Sequence, residues 1–156
     1  MTPMRDGYIL LIEDNADDEE LTLRALRKSK ISNRVHVARD GAEAAGFLFT
    51  DEHTHSMRRE GRPEFILLDL QLPGLSGIEL LKQIRKEPTT SRLPVIVLST
   101  SDEPSDIHES YRLGANSYVL KPVDFKAFVE VIGDLGVYWL SRNEPCPQDS
   151  SSRGSI

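Results

Sequence analysis

The first chemical signal in this chain comes from acids placed at the ends of apolar runs. Glu13-Asp14-Asn15 follow the run Tyr8 to Ile12, and Asp69 follows Phe65 to Leu68. Carboxylates brought into one crevice repel each other, and a divalent cation relieves that repulsion; hard carboxylate oxygens suit Mg²⁺ or Mn²⁺ better than softer metals. Two further apolar runs end in other polar types, Val95 to Leu98 in Ser99-Thr100-Ser101 and Tyr118 to Leu120 in Lys121-Pro122. Nucleophile, metal, hydroxyl and ammonium together are what an acyl phosphate on a carboxylate would need. Taken singly, each has a plainer reading. A strand-end hydroxyl is often a helix cap, a Lys is usually solvated, and the acids Asp17, Asp18, Glu19 and Glu20 read as charge favoured by a helix N-terminus.

These groups act together only if the chain delivers them to one place. Five short runs rich in Val, Ile and Leu, at Tyr8 to Ile12, Arg34 to Val37, Phe65 to Leu68, Val95 to Leu98 and Tyr118 to Leu120, read as buried strands. Between them lie helical patterns: Leu21, Leu23, Ala25 and Leu26; Ala42, Ala45, Phe47 and Leu48; Ile78, Leu80, Leu81 and Ile84. Phe125, Phe128, Val129, Ile132 and Leu135 make a fifth helix, and Gly114 fits a stop for the fourth. Strand and helix alternate, which predicts α/β architecture: a doubly wound, five-stranded parallel sheet with five helices on its two faces. In such sheets the working site lies beyond the carboxyl ends of the strands, where these polar residues stand.

Composition narrows the function classes. With 19 Lys and Arg against 25 Asp and Glu, the net charge is −6, so a basic stripe for nucleic acid is not expected. The lone Cys146 excludes an intramolecular disulfide framework and points to a reducing, cytoplasmic setting. No apolar run reaches the roughly 18 residues of a membrane span, and Met1 to Tyr8 lacks the apolar core of a signal peptide. The polar stretch from Asp51 to Pro63 reads as a loop insertion, and the tail 143–156, with Pro145, Pro147 and Ser150 to Ser152, as disordered.

The strand-end residues, taken in order, resemble the receiver domain of two-component response regulators. The resemblance runs from Gly7 to Arg142 and is carried by Glu13-Asp14, by Asp69 in Leu67-Leu68-Asp69-Leu70-Gln71-Leu72-Pro73-Gly74, by Ser99-Thr100, and by Tyr118-Val119-Leu120-Lys121-Pro122. Within the family, Leu11-Ile12-Glu13-Asp14-Asn15-Ala16-Asp17-Asp18 and the 51–63 loop are most similar to stand-alone regulators that pair with phytochrome-type sensor kinases. The resemblance implies a flavodoxin-like fold and a phosphoryl group accepted on Asp69 from a sensor histidine kinase. It implies Mg²⁺ held by Asp14 and Asp69, by the Gln71 backbone carbonyl, and by Glu13 through water. Lys121 and Ser99 would hold phosphoryl oxygens, with Ser99 and Tyr118 as the switch. Two residues depart from the commonest pattern: Ser99 in place of Thr, and Glu13 in place of Asp. Both keep the required chemistry, though the longer Glu13 and the missing methyl at Ser99 bear on phosphoryl lifetime and switching strength.

Other readings are weaker. A metal-dependent phosphatase with an Asp nucleophile commonly places a second acid two residues on, where this chain has Gln71. A nucleotide or flavin binder would want a glycine-rich phosphate cradle, and the first loop is acidic. An unphosphorylated interaction protein would not need the complete site. A phosphorelay intermediate or a phosphate sink uses the same residues as a terminal regulator. His53 and His55 read as ordinary loop histidines rather than metal ligands. Val131, Tyr138 and Trp139 fall partly off the apolar stripe of the last helix, which predicts a homodimer through that helix and Val137 to Leu140.

Overall fold

The alternation predicted from sequence appears as β1 (Ile9–Ile12), α1 (Ala16–Lys28), β2 (Val35–Ala38), α2 (Gly41–Phe49), β3 (Phe65–Leu68), α3 (Gly77–Lys86), β4 (Val95–Ser99), α4 (Pro104–Arg112), β5 (Ser117–Leu120) and α5 (Phe125–Val137), extended by a π-helical turn (Tyr138–Arg142). The computed structural model describes residues 3–49 and 61–147. All four strand pairings are parallel and the order is β2-β1-β3-β4-β5. The chain builds outward from β1 to β2 and then returns past β1 to add β3, so the order reverses between β1 and β3. That reversal opens the crevice at their carboxyl ends.

Both sheet faces are covered, which is why the central strands β1 and β3 are apolar at every position rather than at alternate ones. Leu10, Ile12, Ile66, Leu68, Val95 and Val97 pack with Phe47, Leu80, Leu81 and Ile84 from α2 and α3. Their neighbours Ile9, Leu11, Phe65, Leu67, Ile96 and Leu98 pack on the other face with Ala25, Leu26, Phe128 and Ile132 from α1 and α5. Strand boundaries shift by a residue from the sequence reading: β2 runs to Ala38, although the Arg34 carbonyl still accepts from Ile9 N–H at 2.9 Å. Gly114 does end the fourth-helix segment, with φ +103, a conformation that favours glycine.

The C-terminal end departs from a regular helix. Asn143 N–H reaches back five residues to the Tyr138 carbonyl at 2.7 Å, the spacing of a π turn. The wider turn rotates the chain, so Trp139, predicted to lie off the stripe, and Leu140, in the predicted dimer region, are buried within this chain against the α1/α5 face. Val137 and Tyr138 stay exposed, at 41% and 48%. Arg5 fastens this end by donating to the Asn143 carbonyl at 3.0 Å and to the Trp139 carbonyl. Arg62 Nη2 donates to the Cys146 carbonyl at 3.3 Å, so Asn143 to Pro147 run beside the body. The rest of the predicted tail and most of the 51–63 loop, including His53 and His55, lie outside the described residues. No helix among the described residues is long and apolar enough to cross a membrane.

Candidate functional site

The parallel register places the strand-end residues side by side. Ile12 pairs with Leu68, so Glu13 and Asp69 leave adjacent strands at the same level, and Asp69 N–H donates to the Ile12 carbonyl at 3.1 Å. Ser99 pairs with Leu120, and Lys121 N–H donates to the Ser99 carbonyl at 2.8 Å. The loop after Asp69 is pinned from behind by α3: a Cβ on Gly77 would stand 2.5 Å from the Asp69 carbonyl oxygen, so only glycine permits this approach. At the start of α1, the Asn15 side chain accepts from Asp18 N–H at 3.0 Å, a cap that contributes about 1 kcal/mol.

Around the crevice, Glu13, Asp14 and Asp69 can each aim one carboxylate oxygen so that all lie within 4.8 Å of one another. This donor set of hard oxygens fits a divalent cation. Glu13 and Asp69 are buried, at 2% and 7% exposure, while Asp14 is exposed at the rim. Gln71 lies in the same loop, its N–H donating to Asp69 Oδ1 at 3.0 Å. Lys121 Nζ, on a side chain only 8% exposed, donates to Glu13 Oε1 at 2.9 Å, Asp18 Oδ2 at 3.0 Å and Asp69 Oδ2 at 3.4 Å.

One ammonium cannot neutralise this many carboxylates, and the excess shows in the protonation of Glu13. Burial, reinforced by the hydrogen bond and charge of Asp69, pushes the Glu13 carboxyl up to about 8, against the pull of Lys121 in the other direction. For Lys121, burial works toward the neutral amine, but pairing with Glu13 and the charge of Asp69 outweigh it, and the ammonium is held above its ordinary range. A cation entering the site must displace the proton on Glu13. Apparent affinity for a divalent ion is therefore expected to rise with pH, by up to about tenfold per unit, and to level off above about 8. Glu13→Gln should flatten that dependence. Calorimetric titration across this range checks it, and an affinity in the unaltered protein that ignores pH would show that Glu13 is already ionised. Stability without metal has the matching sign. Because folding raises this carboxyl from 4.5 to about 8, the folded state holds the proton more tightly, and Glu13 costs stability progressively as pH rises through that window.

The hydroxyl and the aromatic ring meet through a residue between them. Ser99, fully buried at the end of β4, accepts from Ser101 N–H at 3.1 Å on its Oγ. Tyr118 donates its hydroxyl proton to the Ser101 carbonyl at 2.8 Å, and its half-buried ring packs against the α2/α3 core. Ser101 Oγ in turn donates to Asp106 Oδ2 on α4 at 2.6 Å. Hydrogen bonds thus join the β4–α4 loop to Tyr118 and to α4.

The structure brings Glu13, Asp14, Asp69 and Lys121 together, and it adds Asp18. Read from sequence, Asp18 belongs with Asp17, Glu19 and Glu20 as helix-end charge; in the fold its carboxylate reaches Lys121. Its position four residues after Asp14, on a helix leaving the same sheet edge, was the available signal. Of the remaining histidines, His36 stacks on Phe47 with ring centroids 4.0 Å apart, and His108 is exposed on α4.

A profile of the response regulator receiver domain matches residues 9–133. The chain belongs to that family. This receiver domain is 36% identical over 132 residues to response regulator Rcp1 of Synechocystis sp., an alignment covering 85% of this chain and 88% of Rcp1. Rcp1 has been solved in a Mn²⁺-bound form, which superposes with a TM-score of 0.80 at 33% identity over 90% of this chain and 99% of that one. The phosphorylated cyanobacterial phytochrome response regulator RcpA gives a TM-score of 0.82 at 36% identity, again over 90% and 99%. The bacteriophytochrome response regulator RtBRR is 48% identical, with a TM-score of 0.70 over 94% of this chain and 87% of its own. The domain is thus a phosphorelay signalling module related to phytochrome response regulators, a class that pairs with histidine kinases, and its acidic cluster fits a divalent metal.

Proposed function

We propose that this receiver domain, spanning 7–142, takes a phosphoryl group from the phosphohistidine of a phytochrome-type sensor kinase onto Asp69. The observation that carries this reading is the placement of Asp69, buried between the Glu13/Asp14 acids and the ammonium of Lys121. A carboxylate is ionised at neutral pH and needs no base to act as nucleophile. An Asp69 oxygen forms the bond to phosphorus as the P–N bond breaks, and the imidazole leaves with the electron pair. Asp14, Asp69, the Gln71 backbone carbonyl and, through water, Glu13 would hold Mg²⁺, which would supply neutralisation of charge on the transferring group. Lys121 holds one phosphoryl oxygen and Ser99 another. As Ser99 is drawn inward, the Ser101 carbonyl moves with it, and Tyr118 follows toward the space released.

In this reading the protein works in the cytoplasm through protein contacts, without binding nucleic acid, and its only chemistry is gain and loss of its own phosphoryl group. A second copy docks along α5 and the Val137 to Leu140 region, where Val137 and Tyr138 supply exposed apolar surface. Intact mass after incubation with a small phosphodonor tests the core of the proposal. One phosphoryl addition is expected with Mg²⁺ and none with a chelator; equal addition in both would rule out the metal-assisted site.

A further inference from the structure

Lys121 Nζ has three N–H donors, and three carboxylates lie within reach of them. Two of these, Glu13 and Asp69, belong to the cluster that can share a cation; Asp18 does not. Among the described residues, the hydrogen bond from the site to the Asp18 carboxylate comes from this ammonium. The first turn of α1 makes that reach possible. Asp18 N–H is held by Asn15 Oδ1, and the Asp18 carbonyl accepts from the hydroxyl of buried Thr22 at 2.9 Å, which fixes the backbone from which the carboxylate extends. A general attraction of acids to a helix N-terminus does not select this residue. Glu19, next in the same turn, faces the other way and pairs with Arg39 at 3.1 and 3.0 Å. The Asp18 side chain is 35% exposed and lines a cleft with Thr100, Lys121, Pro122 and Phe125.

We propose that Asp18 is a positioning residue that competes with the incoming phosphoryl group for Lys121, and so sets how readily the domain becomes phosphorylated. The proposal rests on Asp69 being the acceptor. With acetyl phosphate as donor, an Asp69 oxygen bonds to phosphorus while the P–O bond to acetate breaks, and acetate leaves with the electron pair. The arriving group is anionic and needs the Lys121 ammonium. Asp18 holds one of the three N–H donors and places a like charge beside the ammonium that the phosphoryl group must reach, so both effects slow uptake. Partial exposure screens the pair and keeps the effect moderate.

The test is the rate of phosphorylation by acetyl phosphate with Mg²⁺, followed by intact mass, in the full chain and in Asp18→Asn, Asp18→Glu, Lys121→Gln and the double variant Asp18→Asn/Lys121→Gln. Asp18→Asn should accelerate uptake roughly fivefold, Asp18→Glu should behave as the unaltered chain, and the acceleration should vanish in the Lys121→Gln background. The same acceleration in both backgrounds would overturn the proposal, because a charge acting without Lys121 would then explain it; so would no acceleration at all. A second measurement separates this from the acceptor assignment: hydrogen exchange of the Lys121 ammonium followed by nitrogen NMR, which needs no phosphorylation. Faster exchange in Asp18→Asn supports the tether even where uptake by the unaltered chain fails and Asp69 loses its assigned role. Unchanged exchange overturns it.

Discussion

Asp69→Asn is expected to reduce phosphoryl uptake to background while the domain stays folded. The amide is nearly the same size and keeps an oxygen that can accept from Gln71 N–H, so the loop need not move, but it is no longer a competent nucleophile. The charge balance makes a second readout available. Glu13 is pushed up to about 8 partly by Asp69, so removing that charge should bring Glu13 back toward the ordinary carboxylate range. Two buried acids no longer face each other across one ammonium, and metal-free stability at neutral pH should be unchanged or higher by about 1 kcal/mol. Intact mass after treatment with a phosphodonor and thermal unfolding without metal check the two arms. Phosphorylation of the variant at the normal rate would sink the assignment of Asp69.

The second large effect is expected from Lys121→Ala. Its ammonium, on a side chain 8% exposed, is the cation that faces Glu13, Asp18 and Asp69 together. Removing one partner of a buried ion cluster leaves uncompensated charge, and the cost is about 3 kcal/mol. The loss should be largest above about pH 8, where Glu13 would otherwise be ionised, and smaller as the pH falls and Glu13 takes up a proton. A divalent cation should recover part of it, since it offsets the same carboxylates. Denaturant unfolding with and without Mg²⁺ at two pH values reads this directly; a loss independent of both would mean that Lys121 matters through packing rather than charge. In the phosphorylated variant, the amide signals of Ser101 and Tyr118 should stay at their unphosphorylated positions. A shift like that of the unaltered protein would show that the clamp lies elsewhere.

The site was legible in the sequence because parallel strands put all their carboxyl ends on one edge. Once the apolar runs were read as strands, Glu13, Asp69, Ser99 and Lys121 had to stand on one edge of the sheet, whatever the details of helix packing. Gly114 was legible for a local reason, its left-handed backbone. Three features came only with tertiary structure. Ser101 links Ser99 to Tyr118 by a hydrogen bond spanning 17 residues, and no local pattern marks that contact. Trp139 looked free to face a partner because an α-helical period was assumed; the π turn changes the phase and buries it. Asp18 is the sharpest case. Helix-end electrostatics accounts for an acid there whether or not it has a partner, and that partner is 103 residues away, so its meeting with Lys121 was decided only when α1 and β5 came to the same edge of the sheet.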